Sequence, residues 1–338
     1  MQIPEKSHRP AGVKVSFWSI IKIISGLLLF FLVLSRSSRS ELTALATQVS
    51  WGWLGATFVL FLLLSVLKAW QYHVLFETDF PYSQILSVVI LQNAISNFVA
   101  SSAGIAAYLT MLRAEQGIKV SRSASVFIIT KVGDLLAVWV GLMISLLFVW
   151  GLVEAVHNLI LFLIILIGAG LTAFGAAVLL RRKFVDILRA ILEWTGLLKF
   201  RWTQRPLELA NTLADFEQKD VIRIMLTASG LSCIYLIATF IWTYSSLHTF
   251  NLPVTIWAVV FVSSMLQLLS IIPVQVFGGL GVSEAASLYL LGFFGFSQGQ
   301  LAAVLIGLRL LFYLMNLAVL LYLPIHTLFL NPSIKKVK

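Results

Sequence analysis

The stretch IIPVQVFGGLGVSEAASLYLLGFFG, residues 271–295, decides how the rest of the chain is read. An otherwise apolar run is interrupted by Gly278, Gly279 and Gly281, and one carboxylate, Glu284, sits just past the cluster. In a bilayer core every unpaired backbone group is costly, so broken backbone at membrane depth occurs where it is buried in protein or lines a water-filled cavity. The break is therefore a candidate site.

Composition places that break in a membrane. Of 338 residues, 59% are hydrophobic and 11% charged, and the mean hydropathy is +0.96. A soluble domain carries about 25% charged residues, so the chain reads as an all-α polytopic integral membrane protein, a single domain over residues 1–338. The alternating pattern of a membrane β-barrel is absent. The lone cysteine, Cys233, excludes an intramolecular disulfide or a cysteine-based metal cluster. The first apolar run, residues 18–34, lacks a small-x-small site at its end and is followed by further spans, so it reads as a retained helix rather than a cleaved signal. The net charge of +10 could suggest nucleic acid, but its distribution points to topology and anionic lipid headgroups, and no nucleic-acid partner is expected.

Full-length candidate spans cover residues 18–34, 51–69, 124–150, 155–180, 222–247 and 301–323. Two regions resist that reading and bring the total to about eight hydrophobic elements. Region 85–112 meets the small cluster Ser101-Ser102-Ala103-Gly104 and then continues for only about eight residues, roughly 12 Å of helix. Region 254–295 has a comparably short second limb. With a cytoplasmic N-terminus, 20 of the 24 Lys and Arg residues fall on one side, among them Lys68, Arg113 and the nine of the basic segment 181–223. The other side receives Arg36 and Arg39, while Lys131 and Arg309 remain inside spans. Such asymmetry is a strong positive-inside signal and places both termini in the cytoplasm. It requires both broken regions to leave and return on the same side. A limb of about 12 to 20 Å does not comfortably cross a core of about 30 Å, so both regions are expected to be re-entrant hairpins of opposite orientation.

Opposed hairpins suggest an inverted repeat. Ser101-Ser102-Ala103-Gly104-Ile105 matches Gly278-Gly279-Leu280-Gly281-Val282 as small-small-x-Gly-aliphatic. Lys131 follows Gly117 by 14 residues, as Arg309 follows Gly295. Segment 181–223, with Trp194 and Trp202 among its cations, suits a helix lying on an anionic membrane surface or an ordinary positive-inside loop.

Charged side chains inside a span cost about 2.5 to 3.5 kcal/mol on insertion scales and mark functional sites by default. Here they are Lys131, Asp134, Glu284 and Arg309. Lys131 and Asp134 lie three residues apart and can pair across one turn. Arg309 has no acid three or four residues away, and its nearest partner is Glu284. Glu284 also suits the first turn of a half-helix with Ser283 as N-cap. The free N–H groups of such a terminus, with the Arg309 fork, can receive a lipid phosphate. Polar residues at helical spacing, Asn93, Asn97 and Ser101 in one hairpin and Ser263, Gln267 and Ser270 in the other, suit helix packing or a hydrated interior.

Enzyme templates fail by absence: HExxH, GxSxG and the P-loop are missing, and the glycine cluster lacks the βαβ context of a dinucleotide fingerprint. His73 and Glu77 are the best leftover acid/base pair, and interfacial solvation explains them more simply. No cofactor and no metal is expected.

The opening motif, with LAAVLIGLRLLFYLMN after it, resembles the membrane region of the lysylphosphatidylglycerol synthase family, also described as flippase-like. The resemblance rests on Pro273, Gly278-Gly279-Leu280-Gly281, Glu284 and Arg309 and extends over nearly the whole chain. The first half departs from it: Ser101–Gly104 comes without the proline, Arg113 stands as the loop arginine, and Lys131 with Asp134 occupies the place of an arginine. Lysine is a poorer bidentate phosphate ligand than arginine. The resemblance implies transfer of an anionic or aminoacylated phospholipid, or a lipid-linked glycan, between leaflets of the cell membrane. Arg309, Glu284, Gly278, Gly279, Gly281, Lys131, Asp134, Arg113 and Asn97 are the candidate headgroup-binding residues. Lysyl transfer is not implied, because no soluble aminoacyl-transferase domain is present in the sequence. The alternative is a transferase or scaffold component of a lipid or glycan modification pathway, working as a homo-oligomer or with a partner lipid-modifying enzyme.

Overall fold

The computed structural model describes residues 17–76, 81–116, 120–180, 182–196, 218–270 and 277–324. Helices dominate these residues: α1 (Phe17–Leu34), α2 (Arg39–Thr47), α3 (Trp51–Phe76), α4 (Tyr82–Phe98), α5 (Ser101–Gln116), α6 (Val120–Val149), α7 (His157–Leu180), α8 (Arg182–Trp194), α9 (Gln218–Thr249), α10 (Ile256–Ser270), α11 (Val282–Gly292) and α12 (Gln298–Leu320). Five helical stretches, Trp51–Phe76, Val126–Leu152, Glu154–Leu180, Ile222–Thr249 and Gln298–Pro324, are long and apolar enough to cross a membrane. The protein is an all-helical, polytopic integral membrane protein. Glu77 and most of the connection between α8 and α9 lie outside the described residues.

Both interruptions read from the sequence are present, and each is built differently. α4 stops because Val99 leaves helical geometry (φ −121°, ψ −78°). Ala100 then starts α5 by accepting from the N–H groups of Ala103 and Gly104 at 3.0 and 3.1 Å. The chain folds back so tightly that a Cβ on Gly104 would sit 1.9 Å from Ser96 Oγ and 2.7 Å from the Gln92 carbonyl oxygen. The returning limb is longer than the sequence suggests. α5 has 16 residues, about 24 Å at 1.5 Å per residue, because Arg113, Glu115 and Gln116 prolong the helix past the apolar run. Length alone therefore does not make this limb re-entrant.

In the second interruption, Phe277–Gly279 forms a short 3₁₀ turn and α11 follows with 11 residues, about 16 Å. Phe277, Gly278, Gly279 and Gly281 all have positive φ, between 50° and 82°. Glycine accepts that geometry freely, whereas a phenylalanine held there is strained. Two bonds hold it. The Phe277 N–H donates to the Val99 carbonyl at 3.2 Å, and Tyr313 Oη donates to the Phe277 carbonyl at 2.8 Å.

The first of those bonds joins the two interruptions tip to tip. Each pair of broken helices also has its own apolar core. Tyr72, Phe76, Ile85, Val89, Tyr108, Leu112 and Val126 gather α3 to α6 at one end. Leu142, Val153, Leu247, Leu252, Phe261, Leu291 and Leu301 gather α6 and α9 to α12 towards the other. At that second end Ser50 bonds to Thr249 and Arg36 to Gln298, which brings the intervening loops together. The two helix pairs thus enter from opposite ends and meet inside.

Candidate functional site

The meeting point is polar because broken backbone needs partners. α11 is capped at Gly281, whose N–H donates to Glu284 Oε2 at 2.6 Å. Glu284 is thereby a capping carboxylate on the first turn, where an anion complements the helix dipole. The N-cap is Gly281, not Ser283. Ser283 is the second residue of the helix and donates to the Gly279 carbonyl at 3.0 Å.

Arg309 comes from the middle of α12, about 16 Å from its start at 1.5 Å per residue. Its Nε donates to Glu284 Oε1, its Nη2 reaches Glu284 Oε1 and Ser283 Oγ, and its Nη1 donates to the Gly278 carbonyl at 3.1 Å. Phe312 and Tyr313 lie under the guanidinium, with ring centroids 5.7 and 5.6 Å away. Both charges are buried, at 8% and 5% exposure, so each depends on the other. The pair inferred from the sequence is direct. The fork expected to stay open for phosphate is instead taken up mainly by this chain's own groups.

A cavity of about 300 Å³ opens beside the pair, between α9, α10, α11 and α12. Its wall includes Arg309, Glu284, Ser283, Gly278, Ser263 and Gln267, and from α9 Thr239, Trp242, Thr243 and Ser246. A second cavity of about 220 Å³ lies towards α4, walled by Asn93, Asn97, Asn316, Ser65 and Tyr235. Thr239, Trp242 and Phe312 line both cavities and so form the partition between them. Asn97 Nδ2 donates to Asn316 Oδ1 at 2.8 Å across the second cavity's wall. The two hairpin stripes thus behave differently along their length. Asn93, Asn97, Ser263 and Gln267 line cavities, while Ser270 is exposed and bonds to the Gln267 carbonyl.

The first half holds its own buried ion pair, and its cation was misplaced by sequence reasoning. Lys68, counted there only among the cations of one side and not among the charges inside spans, is 8% exposed. Its Nζ donates to Asp134 Oδ2 at 2.9 Å, Asp134 Oδ1 at 3.1 Å and Gln71 Oε1 at 2.8 Å, and lies 4.6 Å from the Tyr235 ring. Gln71 Nε2 donates to Ser232 Oγ at 2.8 Å, and Ser232 donates to Asp134 Oδ1 at 2.8 Å, closing a ring across α3, α6 and α9. Lys131 is the outer partner, with Nζ 3.5 Å from Asp134 Oδ2 and its side chain 56% exposed. The equal spacing that likened Lys131 to Arg309 therefore joins an exposed cation to a buried one. Arg113 is exposed in the last turn of α5, outside both cavities.

Sequence reasoning also passed over α9. Ser232, Tyr235, Thr239, Trp242, Ser246 and Thr249 recur every three or four residues and give that helix one polar face. Ser232 belongs to the Lys68 ring, and Tyr235 to Ser246 line the cavities.

The sequence model described as Lysylphosphatidylglycerol synthase TM region matches residues 19–319. The chain belongs to that family. Comparison with curated proteins and with solved structures yields no match. Family membership makes it a membrane protein of the lipid-modification or flippase type. It covers both helix pairs, both buried ion pairs and both cavities.

Proposed function

We propose that the protein moves a lipid headgroup between leaflets through the two cavities at the junction of its broken helices. The observation that carries this reading is the 300 Å³ cavity that has the buried Arg309–Glu284 pair in its wall and adjoins a second cavity across Thr239, Trp242 and Phe312. Hydroxyls, amides and one ion pair set into a mainly apolar wall, with Leu266, Leu305, Leu308 and Leu311 among its residues, give a headgroup a few fixed polar partners, while acyl chains stay in lipid. Arg309 and Glu284 hold the broken backbone open around Gly278, Gly279 and Gly281. Asn97 lines the adjoining cavity, and Lys68 with Asp134 closes the far end through Tyr235. Lys131 and Arg113, both exposed, contribute positive charge at the surface where anionic lipids gather. The basic ends, with α8, face the cytoplasm of the cell membrane.

The test is flipping of acyl-labelled phospholipid in liposomes containing the purified protein. Arg309→Ala is expected to slow flipping at least roughly tenfold, a barrier change of about 1.4 kcal/mol. Ser287→Phe, which fills the cavity and leaves the ion pair in place, is expected to do the same while the protein stays monodisperse. Equal flipping by wild type and Ser287→Phe would remove the cavity from the mechanism.

A further inference from the structure

α7 and α8 stand apart from the two cavities. Among the described residues neither helix lines either of them, and within α7 only Ile160 and Val178 are buried. Leu179 and Leu180, which end the membrane-length stretch Glu154–Leu180, are exposed. The lipid-facing surface of α7 therefore runs to its last residue. α8 starts two residues on, at Arg182, and so starts at the membrane boundary.

Its sequence suits that boundary. Thirteen residues make about 20 Å of helix, too short and too charged to cross a core of about 30 Å. Ile187, Ile191 and Trp194 recur at i, i+4 and i+7 on one side; the isoleucines are half exposed and Trp194 is 88% exposed. Arg182, Asp186, Arg189 and Glu193 recur at helical spacing on another side, and all are exposed. Val185 is buried and fastens the helix to the protein. An apolar side and a charged side so cleanly divided are the pattern of a helix lying in the plane of the interface, its apolar side in the headgroup and acyl boundary.

The arrangement of charge says which lipids it meets. At about 100° per residue, Asp186 and Glu193 fall at the middle of the charged side, farthest from the apolar one. Lys183 and Arg189, both exposed, fall at its two edges, one beside Trp194 and the other beside Val185. Laid on a bilayer, the helix holds its acids towards water and its edge cations at headgroup level, where a long stem lets the charge reach the phosphates. The sequence on either side adds Arg181, Lys199, Arg201 and Arg205, with no acid before Glu208. Such a surplus of cations favours an anionic leaflet.

We infer that α8 is a docking surface for the membrane itself, with its Ile187, Ile191 and Trp194 side inserted in the leaflet at the basic end of the protein and Lys183 and Arg189 taking anionic headgroups along its edges. This surface is separate from the cavities and does not rest on the translocation reading.

Electron paramagnetic resonance on the full chain in nanodiscs tests it. A nitroxide is placed at Ile187→Cys, Ile191→Cys or Asp186→Cys in a Cys233→Ser background, since Cys233 is exposed. In discs containing phosphatidylglycerol, oxygen should reach the Ile187 and Ile191 labels and a water-soluble nickel chelate should not, at a depth of about 5 to 10 Å. The Asp186 label should show the reverse. With Lys183→Glu and Arg189→Glu together, or in discs of phosphatidylcholine alone, nickel should reach the two apolar sites at least roughly twofold more, because the edge cations no longer meet anionic headgroups. Phospholipid flipping by the charge-reversed protein should equal that of wild type.

Nickel access at Ile187 and Ile191 equal to that at Asp186 would put the helix in water and overturn the inference. Labels closed to both reagents would also overturn it, by making protein the cover, whether a second copy or another part of this chain. Equal depth in the two lipid compositions would overturn the role given to Lys183 and Arg189. Flipping lost at unchanged depth would overturn the separateness of α8 from the path. A wild-type protein that does not flip lipid would count against the translocation reading alone, because depth is read without it.

Discussion

Among the described residues two buried ion pairs stand out, and they do opposite jobs with similar charges. Arg309 and Glu284 mend a break: the guanidinium reaches a carboxylate, a hydroxyl and the backbone carbonyl of Gly278, while the carboxylate caps α11 through the Gly281 N–H. Lys68 and Asp134 fasten unbroken helices, and every bond Lys68 makes goes to a side chain on α3 or α6. The difference follows from the cations. A planar fork with five donors can serve several fixed acceptors at once, whereas an ammonium is a compact charge on a flexible stem. Broken backbone at membrane depth calls for the first.

Deleting the cation of each pair should expose that difference, and the larger loss belongs to the break. Arg309→Met leaves Glu284 buried and unpaired and frees the Gly278 carbonyl, so unfolding in detergent should fall by about 3 to 5 kcal/mol. Adding Glu284→Gln should recover part of that loss, with a coupling of roughly 0.5 to 3 kcal/mol in a double-mutant cycle. A double variant no better than the worse single one would break the pairing. Lys68→Met should be milder, at about 1.5 to 3 kcal/mol, the range for hydrogen bonds to a charged group. Asp134 then keeps the Ser232 hydroxyl and has Lys131 at 3.5 Å.

The two interruptions also use glycine for different reasons, which substitution separates. Gly104 is helical, and its side-chain space is already filled by Ser96 Oγ and the Gln92 carbonyl. Gly104→Ala should cost about 1 to 3 kcal/mol through overpacking, and asparagine there should be worse. Gly278 has φ +65° and a Cβ would approach the Asn97 carbonyl at 3.2 Å. Gly278→Ala should cost about 1 to 2 kcal/mol, the left-handed penalty, and Gly278→Asn should recover some of it because asparagine tolerates that region. Identical responses at both positions, read as thermal unfolding in detergent, would erase the distinction.

These contrasts also show what local pattern can and cannot carry. The glycine break, Glu284 and Arg309 were legible because they are the charges and the interruption within one apolar stretch, and their pairing needed only two adjacent helices. Lys68 was not legible. It stands eight residues before the end of α3, where the cation count assigns it to one side, and its partner Asp134 is 66 residues away. No periodicity encodes that meeting; it depends on how α3, α6 and α9 pack. The face of α9 was readable as a spacing of three and four, yet Ser, Thr, Tyr and Trp scarcely alter an averaged hydropathy, so the run looks like a plain span. Equal spacing misled in the first half because it fixes distance along a helix and not which side of the helix turns inward.

Lys131 gives the sharpest test of that last point. If the 14-residue spacing after each glycine reported an equivalent role, Lys131→Ala would harm the protein as Arg309→Met does. Geometry argues otherwise: the side chain is 56% exposed and its nearest carboxylate oxygen, at 3.5 Å, already accepts from Lys68. Exposed pairs contribute about 0.2 to 1 kcal/mol, so Lys131→Ala should shift thermal unfolding very little. Lys131 stands only five residues into the span that starts at Val126, from where a lysine stem can snorkel to the interface. The small remaining effect should therefore shrink as salt is added, because charges there are screened within about 10 Å at 0.1 M. The Lys68→Met loss, coming from a buried pair, should hold nearly constant over the same salt series. A Lys131→Ala loss as large and as salt-independent as that of Lys68→Met would make Lys131, and not Lys68, the working partner of Asp134.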